Sequence, residues 1–296
     1  MKKVLIVGCD SYIGSSFERY VQGRLEVTTV DARNDEWLKI DYSAFDSVIY
    51  VAGIAHRKQT KDNKDLYFKV NRDLAVAVAQ KARAEGVKHF IYFSSMAVYG
   101  MKKGVIAERV IPAPIESDYY GFSKYQAEKL IQPMHTDSFY IAIIRPPMVY
   151  GLHCKGKFQG LLKIARAFPV IPTLENKRSV IYIENLTELM AIIVEQDVSG
   201  TLCPQNKEYV STSNMLAAIQ NTLGNKVRRL PLLNVPIYMF LPLLSALQSA
   251  FGNLYYDASV SKMPFDQKYQ LVGFEESIKR SVEGYMNENQ HNNSKL

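Results

Sequence analysis

Hydrophobic and polar positions along the first half of the chain predict strands and helices in alternation. Short apolar runs rich in β-branched residues predict strands, and apolar positions at helical spacing predict the helices between them. The predicted strands cover residues 2–8, 27–31, 47–52, 89–94 and 139–145, and the predicted helices begin near residue 13 and span about 66–85 and 123–131. This order is typical of an α/β fold whose parallel sheet is doubly wound, with helices on both faces.

The regular pattern weakens after residue 151. A helix is predicted at 158–168, a strand at 180–183 and a helix at 187–195, followed by irregular or helical segments to about residue 285. We therefore predict a dinucleotide-binding domain at residues 1–150 with a return segment at about 180–203. A smaller substrate-binding lobe is predicted at about 151–179 and 204–286, and the polar residues 287–296 are predicted to form a flexible tail.

Composition indicates a folded protein, and its net charge is compatible with a small anionic substrate, a nucleic acid or an acidic membrane. The 296 residues are 47% hydrophobic and 22% charged, as in ordinary globular proteins. The net charge of +7 is spread along the chain, with no basic stripe interleaved with aromatic residues. We therefore expect no nucleic-acid partner, and an anionic substrate accounts for the charge.

Cysteine and histidine spacing predicts neither a disulfide framework nor a metal site. Cys9, Cys154 and Cys203 lie far apart without a CxxC pair, and the chain opens on a strand pattern, not on a signal peptide. His56 and His89 have no second ligand at a suitable spacing. We expect reduced thiols, a cytoplasmic location and no bound metal.

The most apolar stretch, residues 235–251, is short for a membrane span and contains Pro236 and Pro242. We interpret it as buried helices of the lobe, in preference to attachment to a membrane surface. No transmembrane span is expected.

The turn after the first predicted strand has the spacing of a diphosphate-binding loop. Residues 8–14 read Gly-Cys-Asp-Ser-Tyr-Ile-Gly, which directs backbone N–H groups and a helix N-terminus toward a phosphate group. Ser11 replaces a middle glycine, so either the cofactor sits slightly differently or the serine adopts an unusual conformation. An ordinary strand-to-helix turn is the alternative. With the alternating elements, the turn predicts a Rossmann-type domain.

Two charged residues at the end of the second predicted strand bear on the cofactor. Asp31 can accept hydrogen bonds from the adenosine ribose, which favours NAD. Arg33 can instead pair with the 2′-phosphate of NADP. The sequence leaves NAD and NADP open, and solvated loop charges are the simpler interpretation of both residues.

The most informative group is Ser95, Tyr120 and Lys124. Lys124 follows Tyr120 by one helical turn, so its ammonium can stabilise the phenolate and lower the tyrosine pKa. Ser95 ends a strand at the carboxyl edge of the sheet, where its hydroxyl can orient a carbonyl or alcohol. Without the other motifs, a tyrosine and a lysine at this spacing are more often two side chains on the surface of a helix than a catalytic pair. Together the three predict acid–base catalysis.

These motifs resemble the extended short-chain dehydrogenases/reductases, and specifically their nucleotide-sugar epimerase, dehydratase and 4-ketoreductase group. The resemblance covers nearly the whole chain and is carried by residues 8–14, 51–53, 70–71, 94–100, 120–124, 145–151 and 176–185. It implies a nicotinamide cofactor, NAD or NADP, a UDP-sugar substrate and, as in many members, a homodimer.

The resemblance also assigns roles to residues beyond the catalytic three. The cofactor set it implies is Gly8, Ser11, Tyr12, Ile13 and Gly14 for the diphosphate, Asp31 for the ribose, Asp41 for the adenine, Ala52 and Gly53 for the cofactor midsection and Pro146 beside the nicotinamide, with Arg33, Asn71, Tyr120 and Lys124 completing the cofactor-binding residues. The substrate set is Ser95, Met96, His153, Phe158 and Arg178, with Arg178 on the nucleotide diphosphate.

Departures from the family pattern narrow the reaction. Sugar dehydratases of this group carry an Asp-Glu pair where this chain has Met96 and Ala97, and enzymes that epimerise before reducing carry a cysteine in place of Met96. Residues 145–158 and 177–183 are most similar to bacterial 4-ketoreductases of 6-deoxy-N-acetylhexosamines that feed surface-polysaccharide synthesis.

We therefore expect NAD(P)H-dependent reduction of a UDP-linked 4-keto-6-deoxy-N-acetylhexosamine. The alternatives are a UDP-glucose or UDP-N-acetylglucosamine 4-epimerase with tightly bound NAD, and a non-catalytic dinucleotide sensor on the same fold. The sugar, its C4 stereochemistry and the oligomeric state stay open.

Overall fold

The fold is taken from a computed structural model, which describes residues 1–55 and 57–293. His56 lies outside this part of the chain. The strands are β1 (Lys3–Val7), β2 (Glu26–Val30), β3 (Ser47–Tyr50), β4 (His89–Phe93), β5 (Gly104–Ile106), β6 (Tyr140–Ile144), β7 (Met148–Tyr150), β8 (Val170–Ile171), β9 (Val180–Tyr182), β10 (Gly200–Leu202), β11 (Arg228–Arg229) and β12 (Leu254–Tyr256). The α-helices are α1 (Tyr12–Tyr20), α2 (Glu36–Lys39), α3 (Lys64–Phe68), α4 (Ala75–Ala84), α5 (Tyr119–Ile131), α6 (Lys157–Ala167), α7 (Ile183–Glu195), α8 (Thr212–Thr222), α9 (Asn234–Phe240), α10 (Ser245–Phe251) and α11 (Phe274–Asn293).

A six-stranded parallel sheet in the order β10-β6-β4-β3-β1-β2 forms the centre of the molecule. Alternate residues of β1 face opposite sides: Val4 and Ile6 pack with α1 and α7, whereas Leu5 and Val7 pack with α4 and α5. Because both faces are covered, the inner strands are apolar throughout. The predicted α/β class and doubly wound parallel sheet are confirmed.

Residues after β6 contribute to both the sheet and a separate set of elements. Helix α7 packs against α1, and β10 then pairs with β6 at the edge of the main sheet. Three two-stranded pairs, β7–β9, β8–β11 and β5–β12, lie outside the main sheet. Helices α6, α8 and α11 pack together around a third apolar cluster that includes Tyr150 and Phe158.

The long helix expected at residues 66–85 forms, but it contains one turn of π-helix at 69–74 between α3 and α4. The wider winding of a π-helix moves backbone carbonyls away from the N–H groups that donate to them in an α-helix. Tyrosine hydroxyls of the sheet satisfy two of them: Tyr50 donates to Val70 O at 2.6 Å and Tyr92 to Asn71 O at 2.9 Å. The π turn thereby fixes Asn71 over the sheet edge.

Residues 287–293 of the predicted tail lie in α11, and residues 294–296 lie outside the described chain. One expectation is corrected by the fold. The stretch 235–251 is largely helical, as α9 and α10, but the prediction of burial is wrong: α9 has no buried residue, and large apolar side chains from Val235 to Leu244 are exposed. In the described chain, none of the helices combines the length and apolarity needed to cross a bilayer.

Asn206, which follows β10, joins the sheet to the elements outside it. Its carboxamide oxygen accepts from Tyr182 N and from Asn185 Nδ2, both at 3.0 Å, and its Nδ2 donates to the Tyr150 hydroxyl at 3.1 Å. The residue is buried, and its carboxamide oxygen is the acceptor for Tyr182 N. Asn185 Nδ2 also donates to Val272 O, and the Tyr150 hydroxyl also bonds to the Ser277 hydroxyl.

Replacing this residue tests the junction. We expect Asn206→Ala to lower the free energy of unfolding by about 2–4 kcal/mol, because it leaves the buried Tyr182 N without this acceptor. The exposed Asn221 provides the matched control, and Asn221→Ala should change the value by less than about 0.5 kcal/mol. Denaturant unfolding monitored by circular dichroism measures both, and equal effects would contradict the role given to Asn206.

Candidate active site

The expected site residues gather at the carboxyl ends of the central strands. The turn at residues 8–14 follows β1, the loop 51–55 follows β3, and Ser94 and Ser95 follow β4, beside the start of α5. Parallel strands place these ends at one edge of the sheet, which is where α/β proteins bind ligands.

The glycine turn has the geometry of a phosphate loop. Gly8 has φ +123°, and a Cβ on it would lie 2.7 Å from Ala52 N, so only glycine lets these two loops approach so closely. Ser11 has an ordinary extended conformation (φ −76°), and its hydroxyl accepts from Gly14 N at 3.0 Å to cap α1. The suggestion that this serine is conformationally unusual is therefore wrong.

Two backbone donors at this turn fit a diphosphate. The N–H groups of Tyr12 and Ile13 have no acceptor among the described residues, and they lie in the first turn of a nine-residue helix. The Tyr12 side chain is directed elsewhere: its hydroxyl lies where a Cβ on Gly151 would be 2.6 Å away, and burial raises its pKa. At this turn Tyr12 therefore presents its backbone N–H, and its phenol is buried elsewhere.

Arg33 forms ion pairs with two carboxylates near the end of β2. Its guanidinium donates to both oxygens of Asp31, at 2.7 to 3.0 Å, and to Asp10 at 2.5 Å. These hydrogen bonds lower the pKa of Asp31. The Cys9 thiol also lies near the two carboxylates, within 4.8 Å, a cluster that the sequence did not reveal. Arg33 compensates their charge.

Asp41 lies on the exposed surface beyond β2, where its carboxylate accepts from the backbone N–H and the hydroxyl of Ser43 at 2.9 and 2.6 Å. These hydrogen bonds lower its pKa. An exposed acceptor of this kind is available to a polar ligand group such as an adenine amine.

Tyr120 and Ser95 meet at the start of α5. Burial raises the pKa of Tyr120, and a hydrogen bond with the Ser95 hydroxyl partly offsets that effect. Ser95 also accepts from Ala97 N at 3.1 Å. The close approach needs Gly121, because a Cβ there would lie 2.8 Å from Ala97 O.

Lys124 is almost fully buried, with 4% of its surface exposed, one turn after Tyr120. Its Nζ donates to Phe93 O at 2.7 Å and would lie 3.3 Å from a Cβ on Gly53. Burial lowers the pKa of Lys124 to about 7, against an opposing effect of Glu128. The expected lowering of the Tyr120 pKa by this ammonium is not observed, since burial keeps the phenol pKa above its usual value. The ammonium lies instead under the loop at Gly53.

Asn71 and Pro146 form hydrogen bonds that fix the backbone around the site. Asn71 is buried, its oxygen accepts from Ile54 N at 2.9 Å, and its Nδ2 donates to Ile54 O at 3.2 Å and to the Ser123 hydroxyl at 3.1 Å. It therefore fixes the loop above Lys124 to α5. Pro146 is also buried, and its carbonyl accepts from Met96 N at 3.0 Å.

The residues assigned to the substrate divide into two groups. Met96 is buried in an apolar cluster, and Phe158 is 0% exposed with its ring 5.5 Å from that of Tyr150. Phe158 is thus a core residue, whose side chain packs in the third apolar cluster. The predicted contact of Phe158 with the substrate is therefore wrong. His153 is exposed, has φ +64° and lies near Tyr285, with ring centroids 6.2 Å apart.

Arg178 is a buried cation without a carboxylate partner in the described chain. It is 9% exposed, burial lowers its pKa, and its Nη1 donates to Gly252 O at 2.8 Å. Lys157, at the start of α6, is a second cation close enough for Arg178 to lower its pKa, after the larger effect of burial. Two neighbouring cations without a counter-charge are suited to a diphosphate. The sequence pattern gave no signal for Lys157.

An ion pair behind the site was also missed. Arg145 donates to both oxygens of Glu128, at 2.6 and 3.0 Å, and to the Tyr99 hydroxyl at 2.9 Å. Glu128 follows Lys124 by four residues, so the helical period that links Tyr120 to Lys124 was the available signal. This pair fixes α5 to the strand that precedes Pro146.

The sequence matches the NAD dependent epimerase/dehydratase family over residues 4–203. Among curated proteins, it is 29% identical to a UDP-glucose 4-epimerase of Vibrio cholerae over 230 residues, which are 73% of this chain and 67% of that protein. It is 26% identical to an N-acetyl-alpha-D-glucosaminyl-diphospho-ditrans,octacis-undecaprenol 4-epimerase of Escherichia coli O157:H7 over 68% of this chain and 62% of that one.

The fold is similar to that of a solved UDP-glucuronic acid 4-epimerase from Bacillus cereus in complex with NAD. The TM-score is 0.72 with 18% identity, over 96% of this chain and 99% of the other. At this identity the similarity concerns the fold alone, and it extends through the elements outside the main sheet as well as the sheet itself.

Gly121 allows a test of the Ser95–Tyr120 contact. We expect Gly121→Ala to reduce kcat about 10- to 100-fold, because the added Cβ forces the start of α5 away from Ala97 O and moves the phenol. Cofactor affinity, measured by fluorescence titration, should change less than about 3-fold. Gly160 in α6 has open space around it, so Gly160→Ala is the control and should leave kcat unchanged. Unchanged turnover in Gly121→Ala would refute the positional argument.

The Asp31–Arg33 contact makes a prediction about cofactor choice. Asp31→Ala removes a negative charge and releases part of the guanidinium, so the ratio of NADPH to NADH affinity should rise at least about tenfold. Titration of both cofactors into each variant gives the ratio. Asp35→Ala, at an exposed aspartate that makes no side-chain cap, is the control. A ratio that does not move would mean that Asp31 lies away from the ribose.

Proposed function

The chain belongs to the NAD-dependent epimerase/dehydratase family, and from this premise we propose that it reduces C4 of a UDP-linked 4-keto-6-deoxy-N-acetylhexosamine with NADH or NADPH. The observation that carries the proposal is the Ser95–Tyr120 contact above the buried Lys124, next to Gly53. Products of this kind serve surface-polysaccharide synthesis. We assign cofactor binding to residues 1–150 with 180–203 and substrate binding to the remainder, and we expect a cytoplasmic enzyme.

The chain's own groups supply positioning and a proton. Ser95 donates a hydrogen bond to the C4 carbonyl oxygen of the sugar and orients it toward Tyr120. Tyr120 transfers its phenolic proton to that oxygen as the carbonyl becomes an alcohol. Lys124 supports the loop at Gly53 and the phenol from below. When bound, the nicotinamide supplies the hydride that C4 receives.

The protonated form of Tyr120 can act as the acid of a carbonyl reduction. Burial raises the pKa of its phenol, so the side chain carries a proton at neutral pH and can donate it. Oxidation of an alcohol would need the phenolate as a base. A protonated phenol is therefore compatible with a reductase, and the same side chain would have to lose its proton first in an enzyme that begins by oxidising its substrate.

The side chains after Ser95 argue against dehydration. Elimination of water needs an acid and a base beside the sugar, whereas Met96 is buried among apolar groups and Ala97 has no titratable group. Reduction needs only the one proton donor that Tyr120 provides.

Arg178 and Lys157 support a substrate with a diphosphate. The two cations lie close together without a carboxylate partner in the described chain, and Arg178 can present parallel N–H groups to phosphate oxygens. The sugar can then extend from the diphosphate toward Ser95. The similarity of residues 145–158 and 177–183 to 4-ketoreductases of 6-deoxy-N-acetylhexosamines supports the choice of sugar.

A 4-epimerase is the second candidate, and the names of the two curated relatives favour it. Such an enzyme would use Tyr120 in both directions, first as base and then as acid, and would retain its NAD between turnovers. It would therefore need no added reductant.

The two candidates differ in what they consume. The purified protein is incubated with UDP-4-keto-6-deoxy-N-acetylglucosamine and, separately, with UDP-glucose and UDP-N-acetylglucosamine, each with and without NADH or NADPH. We expect consumption of reductant at 340 nm with the keto sugar only, and a 6-deoxyhexosamine product by NMR. Interconversion of the UDP-hexoses without reductant would establish the epimerase instead.

Neighbouring tyrosines provide a matched control for the catalytic role. Tyr120→Phe should reduce kcat about 10²–10⁴-fold, because it removes the proton donor. Tyr119→Phe removes a hydroxyl one residue away and should retain activity. Cofactor binding without turnover of any of these sugars would favour the sensor.

A further inference from the structure

An exposed apolar surface lies on the residues between β11 and α10. Of the eighteen large hydrophobic side chains exposed in the described chain, eight fall within residues 230–244: Leu230, Leu232, Val235, Tyr238, Met239, Phe240, Leu243 and Leu244. Leu232 and Leu243 are 72% and 74% exposed. Concentrated apolar exposure of this kind marks an interaction surface in soluble proteins.

The backbone under this surface is well fixed. Leu230 N donates to Ile171 O at 2.9 Å, and Asn234 exchanges two hydrogen bonds with Thr173, at 2.9 and 2.8 Å. At the far end, Gly252 accepts from Arg178. The apolar side chains are therefore presented by a braced segment, and the segment lacks only a partner on its outer side.

The spacing of the exposed apolar residues on α9 places them on one face of the helix. Val235, Tyr238 and Met239 follow the i, i+3, i+4 pattern of one helical face, and all three are exposed. Pro242 follows the helix, so the segment is too short and too irregular to enter a bilayer as a span. A short apolar face with an aromatic hydroxyl suits the boundary between lipid headgroups and acyl chains.

The segment that carries this surface contains charges of one sign only. Residues 226–253 contain no aspartate or glutamate, whereas Lys226, Arg228 and Arg229 are exposed immediately before the apolar stretch. Within the described chain none of these three cations forms an ion pair with a carboxylate. Such a cationic margin attracts an anionic lipid surface and repels a second copy of the same face.

We propose that residues 226–244 form a docking surface by which the enzyme binds the anionic face of a lipid bilayer as a peripheral protein. The apolar side chains enter the headgroup region, and Lys226, Arg228 and Arg229 pair with lipid phosphates. Because the same segment leads into the Gly252 contact of Arg178, docking holds the expected diphosphate subsite near the membrane surface. The proposal stands independently of the sugar and of the direction of the reaction.

Vesicle sedimentation with the full chain tests the proposal. The protein should bind vesicles that contain phosphatidylglycerol, should not bind vesicles of phosphatidylcholine alone, and should dissociate in high salt. Met239→Ser with Leu243→Ser should reduce the partition coefficient at least about tenfold. Lys226→Gln with Arg228→Gln should reduce it about tenfold for anionic vesicles. Circular dichroism and cofactor binding of both double variants should match those of the wild type.

Exposed apolar residues elsewhere supply the control. Ile111→Ser with Leu271→Ser removes two side chains outside residues 226–244 that are 77% and 54% exposed, and should leave vesicle binding unchanged. Light scattering of each variant measures its oligomeric state, and so tests whether the surface instead binds a second copy of the chain. If Met239→Ser with Leu243→Ser converts a dimer to a monomer without changing vesicle binding, the face is a contact between copies and the proposal is wrong. Failure of the wild type to sediment with anionic vesicles also overturns it.

Discussion

The close contact between the start of α5 and the segment after β4 is the constraint on which the site depends. A Cβ at Gly121 would lie only 2.8 Å from Ala97 O, so the helix can approach the strand end only because this position is glycine. The approach brings Tyr120 to Ser95 and, one turn later, brings Lys124 under the loop after β3. A small change in this contact would move all the proposed catalytic groups together.

The helical period of α5 places three residues of this region on the same face of the helix. Tyr120, Lys124 and Glu128 recur every four residues and so share one face of the helix. Arg145 balances Glu128, whereas Lys124 has a backbone carbonyl as its hydrogen-bond partner, and burial lowers its pKa to about 7. The side chain of Tyr120 is half-buried, and desolvation raises the pKa of its phenol. The site is therefore set by burial and by hydrogen bonds more than by the charge of the lysine on the phenol.

The elements outside the main sheet have two different surfaces. One holds Arg178 and Lys157 close together, in a position suited to a diphosphate. The other is the apolar surface of residues 226–244, with its cationic margin. Arg178 donates a hydrogen bond to Gly252 O, and Gly252 follows the apolar surface and α10 along the chain, so one continuous segment joins the two surfaces. A membrane-associated enzyme of sugar metabolism would make use of both.

The sequence by itself determined the class of fold, because alternating periods of two and 3.6 residues are local properties of the chain. It also identified the glycine turn and the grouping of Ser95 with Tyr120, since strand ends and helix starts can be located from local signals. The tertiary structure decided what depends on distant neighbours. It buried Phe158, exposed the stretch at 235–251, joined Arg33 to Asp31 and brought Lys157 near Arg178. Hydrophobicity states only that a side chain favours burial, and whether another element covers it is a property of the whole fold.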